Sequence, residues 1–417
     1  MPESHDRDIA QASVFFRHGN ADAARQVFTR VLGSDPCNVA ALHGIGLCLH
    51  ALGQPAPATA MFRQAVALDP GAWASWQAIA DLTSDETERR RAIHQAANLL
   101  LSFCQSRRPS PKFLRNTVRA LVCAERCQQA LQLLREHFCT FDDETQAHAL
   151  LAGTYYTLGQ FEPAAYHQSL ALPHKLPNPP VSGRSVFEPG SAMEVLLTLW
   201  TLLEAEGFRP FLIAGTLLGL FRSGGLLAHD RDIDIGLLRG DAADRDPIDF
   251  IRTHPQLLLP HTARPGDRYV GLTVDGIAAD IFVFDRTPAG MVCGFSPLPG
   301  DIQWRHTPFR LRNMRLGGYN FRIPDPAETY LTECYGPNWR VPDPGFASAL
   351  SSPALAGTSP NAIAYLALAR ARSCLLAGNP EKAKSLLRQM PQIDRPEPGF
   401  MPREATGHTI PAIKWQT

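Results

Sequence analysis

The sequence predicts a chain in two parts, an α-helical repeat array followed by an α+β domain in which strands alternate with helices. Three observations predict this. Residues 8–172 read as a repeat array, opened by a clear 34-residue offset: Gly19-Asn20 recurs as Gly53-Gln54, Ala24 as Ala58, Phe28 as Phe62 and Asp35-Pro36 as Asp69-Pro70. A proline-rich stretch, 173–190, then interrupts all periodicity and reads as a linker. Beyond it the apolar spacing drops to two in runs such as Asp232-Ile233-Asp234-Ile235, which is the spacing of a strand.

At 417 residues the chain can bury two or three cores. Forty basic and forty acidic residues cancel, so no global field draws it to nucleic acid or anionic lipid, and nucleic acid is not an expected partner. The start, Met1-Pro2-Glu3-Ser4-His5-Asp6, is polar, and the apolar runs at 195–203 and 211–221 are too short to span a bilayer. A cytoplasmic protein is expected. Nine cysteines, an odd number without C-x-x-C pairs, fit reduced thiols, and Cys123 and Cys127 on one predicted helix read as structural.

In the array, a 34-residue unit is the tetratricopeptide period. Glycine makes the tight turn between two helices, alanine lets them approach, the aromatic ring fills the seam and proline stops the second helix. Residues 72–138 read as further, degenerate pairs, followed by a clearer unit at Leu158-Gly159-Gln160 with Ala164 five after the glycine. Such an array either presents a surface to a protein partner or serves as a spacer or dimerisation element. After the linker, Ser191–Gly207 reads as a helix lying on a sheet, with Val195, Leu196, Leu199, Trp200, Leu202 and Leu203 apolar. Phe211–Ala214 is an apolar strand, Gly215-Thr216 a turn, Leu217–Arg222 helical and Gly224-Gly225 a second turn before the strand at Asp232. Tyr269–Asp285 reads as a hairpin turning at Asp275-Gly276. Arg305, Arg310, Arg312 and Arg315 invite a phosphate or form a solvated hairpin, and Tyr335 and Trp339 either stack on a base or pack the core. Residues 341–360 read as a second linker. Gly378-Asn379 with Ala383 and Leu387 repeats the array's pattern, so 361–390 is expected to be one more helical hairpin, and the proline-rich tail 391–417 extended or disordered.

Chemistry concentrates between Phe211 and Asp285. A strand period of two puts Asp232 and Asp234 on one face, where like charges are costly unless a cation bridges them. Paired carboxylates suit Mg²⁺, with Mn²⁺ as an alternative, and this points to phosphate transfer. Gly215 permits close backbone approach. The amides of Thr216 and Leu217 and the Thr216 hydroxyl can hold a phosphate, and Arg222 can neutralise its charge. Asp280, placed at the end of the second hairpin strand, either binds the metal or takes a proton from the acceptor, whereas Asp285 reads as a cap or turn residue.

The order G-T-L-L-G-x-x-R, then G-G, then H-D-R-D-I-D-I-G, then A-D-I-F-V-F-D resembles the LicD and fukutin family of the nucleotidyltransferase superfamily. Phe321-Arg322-Ile323-Pro324, Tyr330-Leu331 and Tyr335-Gly336-Pro337-Asn338-Trp339 resemble its closing pattern, so the likeness covers about residues 190–345. It implies a nucleotidyltransferase-type mixed sheet over 191–345, with Asp232, Asp234 and Asp280 as metal and catalytic residues and Gly215-Thr216 as the phosphate turn. His229 and Arg231 replace an aromatic and an acidic residue common in the family. The implied activity is Mg²⁺-dependent transfer of a substituted phosphate, of the phosphocholine or alditol phosphate type, from a CDP-linked donor to a glycan or glycolipid acceptor. Two rival readings are transfer of the nucleotide itself and an inactive repeat scaffold.

Overall fold

The computed structural model describes residues 2–173, 187–228, 230–242, 245–254, 257, 259 and 263–392. Most of the expected linker at 173–190, and residues 393–417 of the expected tail, lie outside the described residues. The chain gathers into two compact units, Met1–Arg126 with Ile251–Thr262, and Cys127–Phe250 with Ala263–Thr417. The division falls inside the expected array at 8–172 and not at its end.

The first unit is helical: α1 (Pro2–Arg17), α2 (Ala21–Ser34), α3 (Val39–Ala51), α4 (Pro55–Leu68), α5 (Trp73–Leu82), α6 (Glu86–Ser106) and α7 (Pro111–Cys123). Its turns show why the sequence repeats. Gly19 and Gly53 adopt φ of 78° and 73°, a region L residues avoid, and Ala24 and Ala58 five residues on are fully buried. The seam rings need glycine opposite them. A Cβ on Gly44 would come within 2.4 Å of the Phe28 ring, and one on Gly46 within 2.5 Å of the Phe62 ring. The turn after α7 has the same shape with Glu125 at φ 60°, and Ala130 five residues on is again fully buried. The left-handed turn therefore recurs at a position where no glycine marks it.

The second unit opens with α8 (Cys127–Glu136), α9 (Glu144–Thr157), α10 (Phe161–Leu170) and α11 (Pro189–Ala205). A six-stranded sheet follows: β1 (Phe211–Leu212), β2 (Asp232–Leu238), β3 (Tyr269–Val274), β4 (Ile277–Thr287), β5 (Gly290–Gly294) and β6 (Gln303–His306). α12 (Ala214–Ser223) and α13 (Pro247–Thr253) are inserted between its strands. The order is β1-β2-β4-β5-β6, with β3 also paired to β4. Only β2 and β4 run parallel, so the sheet is mixed and the fold is α+β. Val274 pairs with Ile277 across Asp275 and Gly276, both at positive φ, which is the two-residue turn the sequence predicts. Ile233, Ile235, Ile281 and Val283 are buried, and α11 lies against β2 and β4.

A separate hairpin of β7 (Arg310–Leu316) and β8 (Tyr319–Asp325) leads to α14 (Ala327–Tyr335), α15 (Ser348–Ser351), α16 (Pro360–Leu376) and α17 (Pro380–Arg388). Residues 341–360 are not the free linker expected. Arg305 N donates to Ala354 O (2.9 Å), Ala356 N to Gln303 O (3.0 Å) and Ser359 N to Gly300 O (2.7 Å), so this stretch straps the edge of β6. Backbone groups otherwise exposed at that edge find partners there. α16 and α17 turn at Gly378, at φ 74°, with Ala383 buried, and α16 docks on α10. No described helix is long and apolar enough to cross a membrane.

Candidate active site

Parallel pairing of β2 with β4 sets Asp234 directly opposite Asp280, and the strand period places Asp232 on the same face. Asp280 lies inside β4, not at its end as expected, because the strand runs on to Thr287. The start of α12 is locked to β2 by two reciprocal bonds. Gly215 N donates to Asp234 Oδ2 (2.9 Å), and Asp234 N donates to Thr216 Oγ1 (2.8 Å). Ala214, at φ 44°, turns the chain into this contact at a cost of roughly 1–2 kcal/mol, strain typical of functional turns. The Leu217 amide is not free for phosphate, as the sequence suggested, since it bonds Ile213 O (2.9 Å) to start the helix.

A fourth carboxylate, Asp230, joins the cluster. It had a signal in sequence, because Asp230, Asp232 and Asp234 alternate at the strand period, but its place depends on Gly215. A Cβ there would meet Asp230 Oδ2 at 2.4 Å and Asp234 Oδ2 at 3.2 Å. Since the closer atom ends a side chain that can rotate, Gly215→Ala should leave the melting temperature nearly unchanged. Turnover should fall at least about tenfold as Asp230 is displaced. Kinetics and a thermal melt on the variant check this, and unchanged turnover would remove Asp230 from the site.

The electrostatics are those of crowded acids. Burial first, then the charges of Asp232, Asp230 and Asp280, hold the Asp234 carboxyl well above its ordinary value, opposed by the Gly215 amide. Burial and then Asp232 raise Asp280 to about 7, against a hydrogen bond from Tyr269 Oη to its Oδ1 (3.1 Å). Burial and then Asp232 raise Asp230 to about 6. Hard oxygen donors that repel one another in a buried site fit a divalent cation of the Mg²⁺ kind. Among the described residues no three acidic, imidazole or thiol side chains already stand at coordinating geometry, so side-chain rotation would have to draw the carboxylates onto the ion.

Arg222 sits near the C-terminal end of α12, where its Nη1 donates to Trp339 O (3.1 Å). Tyr335 lies within electrostatic reach of Arg222, Asp230 and Asp234. Trp339 is core, buried against Phe221. Asp285 is no cap, since it accepts from Arg239 Nε (2.5 Å) and Arg268 Nε (2.7 Å). Arg305, Arg310, Arg312 and Arg315 are exposed, and Arg312 pairs with Asp325 across the β7–β8 hairpin. His229 lies outside the described residues.

Residues 15–82 match the family model of the tetratricopeptide repeat, and residues 207–263 match that of the LicD/FKTN/FKRP nucleotidyltransferase domain. The chain carries a LicD-type domain behind tetratricopeptide repeats. Gly215, Thr216, Asp230, Asp232 and Asp234 fall inside the matched part of the LicD-type domain, and Asp280 lies beyond it. No curated protein matches the chain. Solved structures similar to it include a thermophilic tetratricopeptide-repeat protein of Thermus thermophilus, at 17% identity over 40% of this chain and 89% of that one, with a TM-score of 0.30. The type IV pilus biogenesis factor PilW is 18% identical over 40% and 76%, with a TM-score of 0.33. Pseudomonas aeruginosa PilF is 16% identical over 49% and 86%, with a TM-score of 0.32.

Proposed function

We propose that the LicD-type domain is a Mg²⁺-dependent phosphotransferase that moves a substituted phosphate, of the phosphocholine or alditol phosphate type, from a CDP-linked donor to a glycan hydroxyl. The observation that carries this reading is the set Asp232, Asp234 and Asp280, which face one way from two parallel strands, joined by Asp230 just before the first of them, in and beside the matched domain. Asp230, Asp232 and Asp234 would hold the cation, which when bound supplies charge neutralisation for the diphosphate and its leaving group. Asp234 is oriented for this by the Gly215 amide. Asp280, opposite Asp234 on the parallel strand, takes up the acceptor hydroxyl's proton, and Tyr269 fixes the orientation of its carboxyl. The repeats would bind a protein partner or the acceptor's carrier, as tetratricopeptide arrays commonly do.

The test is incubation with Mg²⁺ and a panel of CDP-linked donors, following CMP release and the mass of the product. Release of CMP with a phosphate ester formed on the acceptor is the expected result. A product carrying the nucleotide would establish nucleotide transfer instead, and no turnover of any nucleotide donor would favour an inactive scaffold.

A further inference from the structure

The C-terminal hairpin, outside the LicD-type match, brings a cation to the acidic cluster. α16 is fixed within its unit from three sides. Residues 354–359 strap the edge of β6, Tyr365 stacks on Tyr156 with ring centroids 4.3 Å apart, and Ala367, Ala371 and Leu375 share an apolar cluster with Leu350 and Leu386. Arg372 points to α10, where its Nε donates to Ala171 O (2.8 Å). Arg370, two residues earlier and therefore about 200° around the helix, faces away from that contact. Half-buried, it lies within electrostatic reach of Asp232, Asp280, Tyr269 and Arg231.

Neither Arg370 nor Arg231 makes a side-chain hydrogen bond or ion pair to another described residue. Two guanidiniums within electrostatic reach of each other, one of them partly withdrawn from water, repel until an anion joins them. The carboxylates nearby supply attraction at a distance but accept none of the guanidinium protons. A phosphate would, because its oxygens match the planar fork of arginine. Acids beside unpaired arginines also suit a phosphate that arrives with a divalent cation.

We propose that Arg370 and Arg231 together bind the phosphate groups of the substrate, so that the C-terminal hairpin completes a site begun in the LicD-type domain. The natural ligand's identity rests on the phosphate-transfer reading above; the anion site does not. Calorimetry on the full chain with inorganic pyrophosphate, with and without Mg²⁺, tests it. Arg370→Met and Arg231→Met should each weaken pyrophosphate binding roughly tenfold to a hundredfold. Mg²⁺ alone should bind those variants as tightly as wild type or more so, since a repelling charge has gone, and Arg370→Lys should recover part of the anion affinity. Unchanged pyrophosphate affinity in Arg370→Met, or no pyrophosphate binding by the wild-type chain, overturns the proposal. Equal loss of Mg²⁺ and pyrophosphate binding overturns it too, because Arg370 would then only hold the fold. If these arms behave as expected while no CDP-linked donor is turned over, the transfer reading fails and the anion site stands.

Discussion

Asp234→Asn is expected to lower turnover by a factor on the order of 1,000 while raising the melting temperature of the metal-free protein at pH 8. Asparagine keeps an oxygen that can accept from the Gly215 amide, so the lock between α12 and β2 survives. What is removed is a buried charge surrounded by Asp230, Asp232 and Asp280. The pH dependence follows from where protons are held. Because the folded chain raises these carboxyls above their ordinary values, the stability they contribute is complete below about pH 4 and is lost as pH rises through the folded values. Asp230 and Asp280 place that loss near pH 6 to 7. The gap in melting temperature between Asp234→Asn and wild type should therefore be small at pH 4 and largest at pH 8, and millimolar Mg²⁺ should close it by stabilising wild type alone. A wild-type melt indifferent to Mg²⁺, or a variant within tenfold of wild-type turnover, would remove the metal assignment.

Deleting residues 361–417 should cost more stability than any single substitution at the site. The deletion takes away Ala367, Ala371, Leu375 and Leu386, leaving Leu350 and Leu172 without their cover, and removes the ring stacked on Tyr156. With each buried leucine worth about 1.5–3 kcal/mol, a loss on the order of 5 kcal/mol corresponds to roughly 10–20 °C in melting temperature. Deleting 393–417 alone is the control, expected to change neither melting temperature nor turnover. A soluble, monomeric chain ending at residue 360 with wild-type melting and turnover would show that the hairpin is an appendage.

The independence that the proline-rich stretch at 173–190 suggests for the 191–345 segment is thus not matched by the packing. α8, α9 and α10, expected to belong with the array, share a unit with the sheet and with α16. Local composition marks where a chain cannot form regular structure, but it carries no information about which surfaces meet on either side.

The sequence by itself determined whatever is decided within a few residues. The 34-residue repeat was legible because a left-handed turn needs glycine at Gly19, Gly53 and Gly378, and it faded at Glu125, where the same turn tolerates another residue. The shared face of Asp232 and Asp234 followed from the strand period, and the hairpin at Asp275-Gly276 from two residues that accept positive φ. Only the tertiary structure decided what stands across from these groups. Parallel pairing of β2 and β4 put Asp280 against Asp234, the missing side chain of Gly215 admitted Asp230, and a helix about 90 residues further along the chain supplied Arg370. Such neighbours leave no periodic trace, because each is chosen by the packing of distant surfaces and not by the conformation of its own segment.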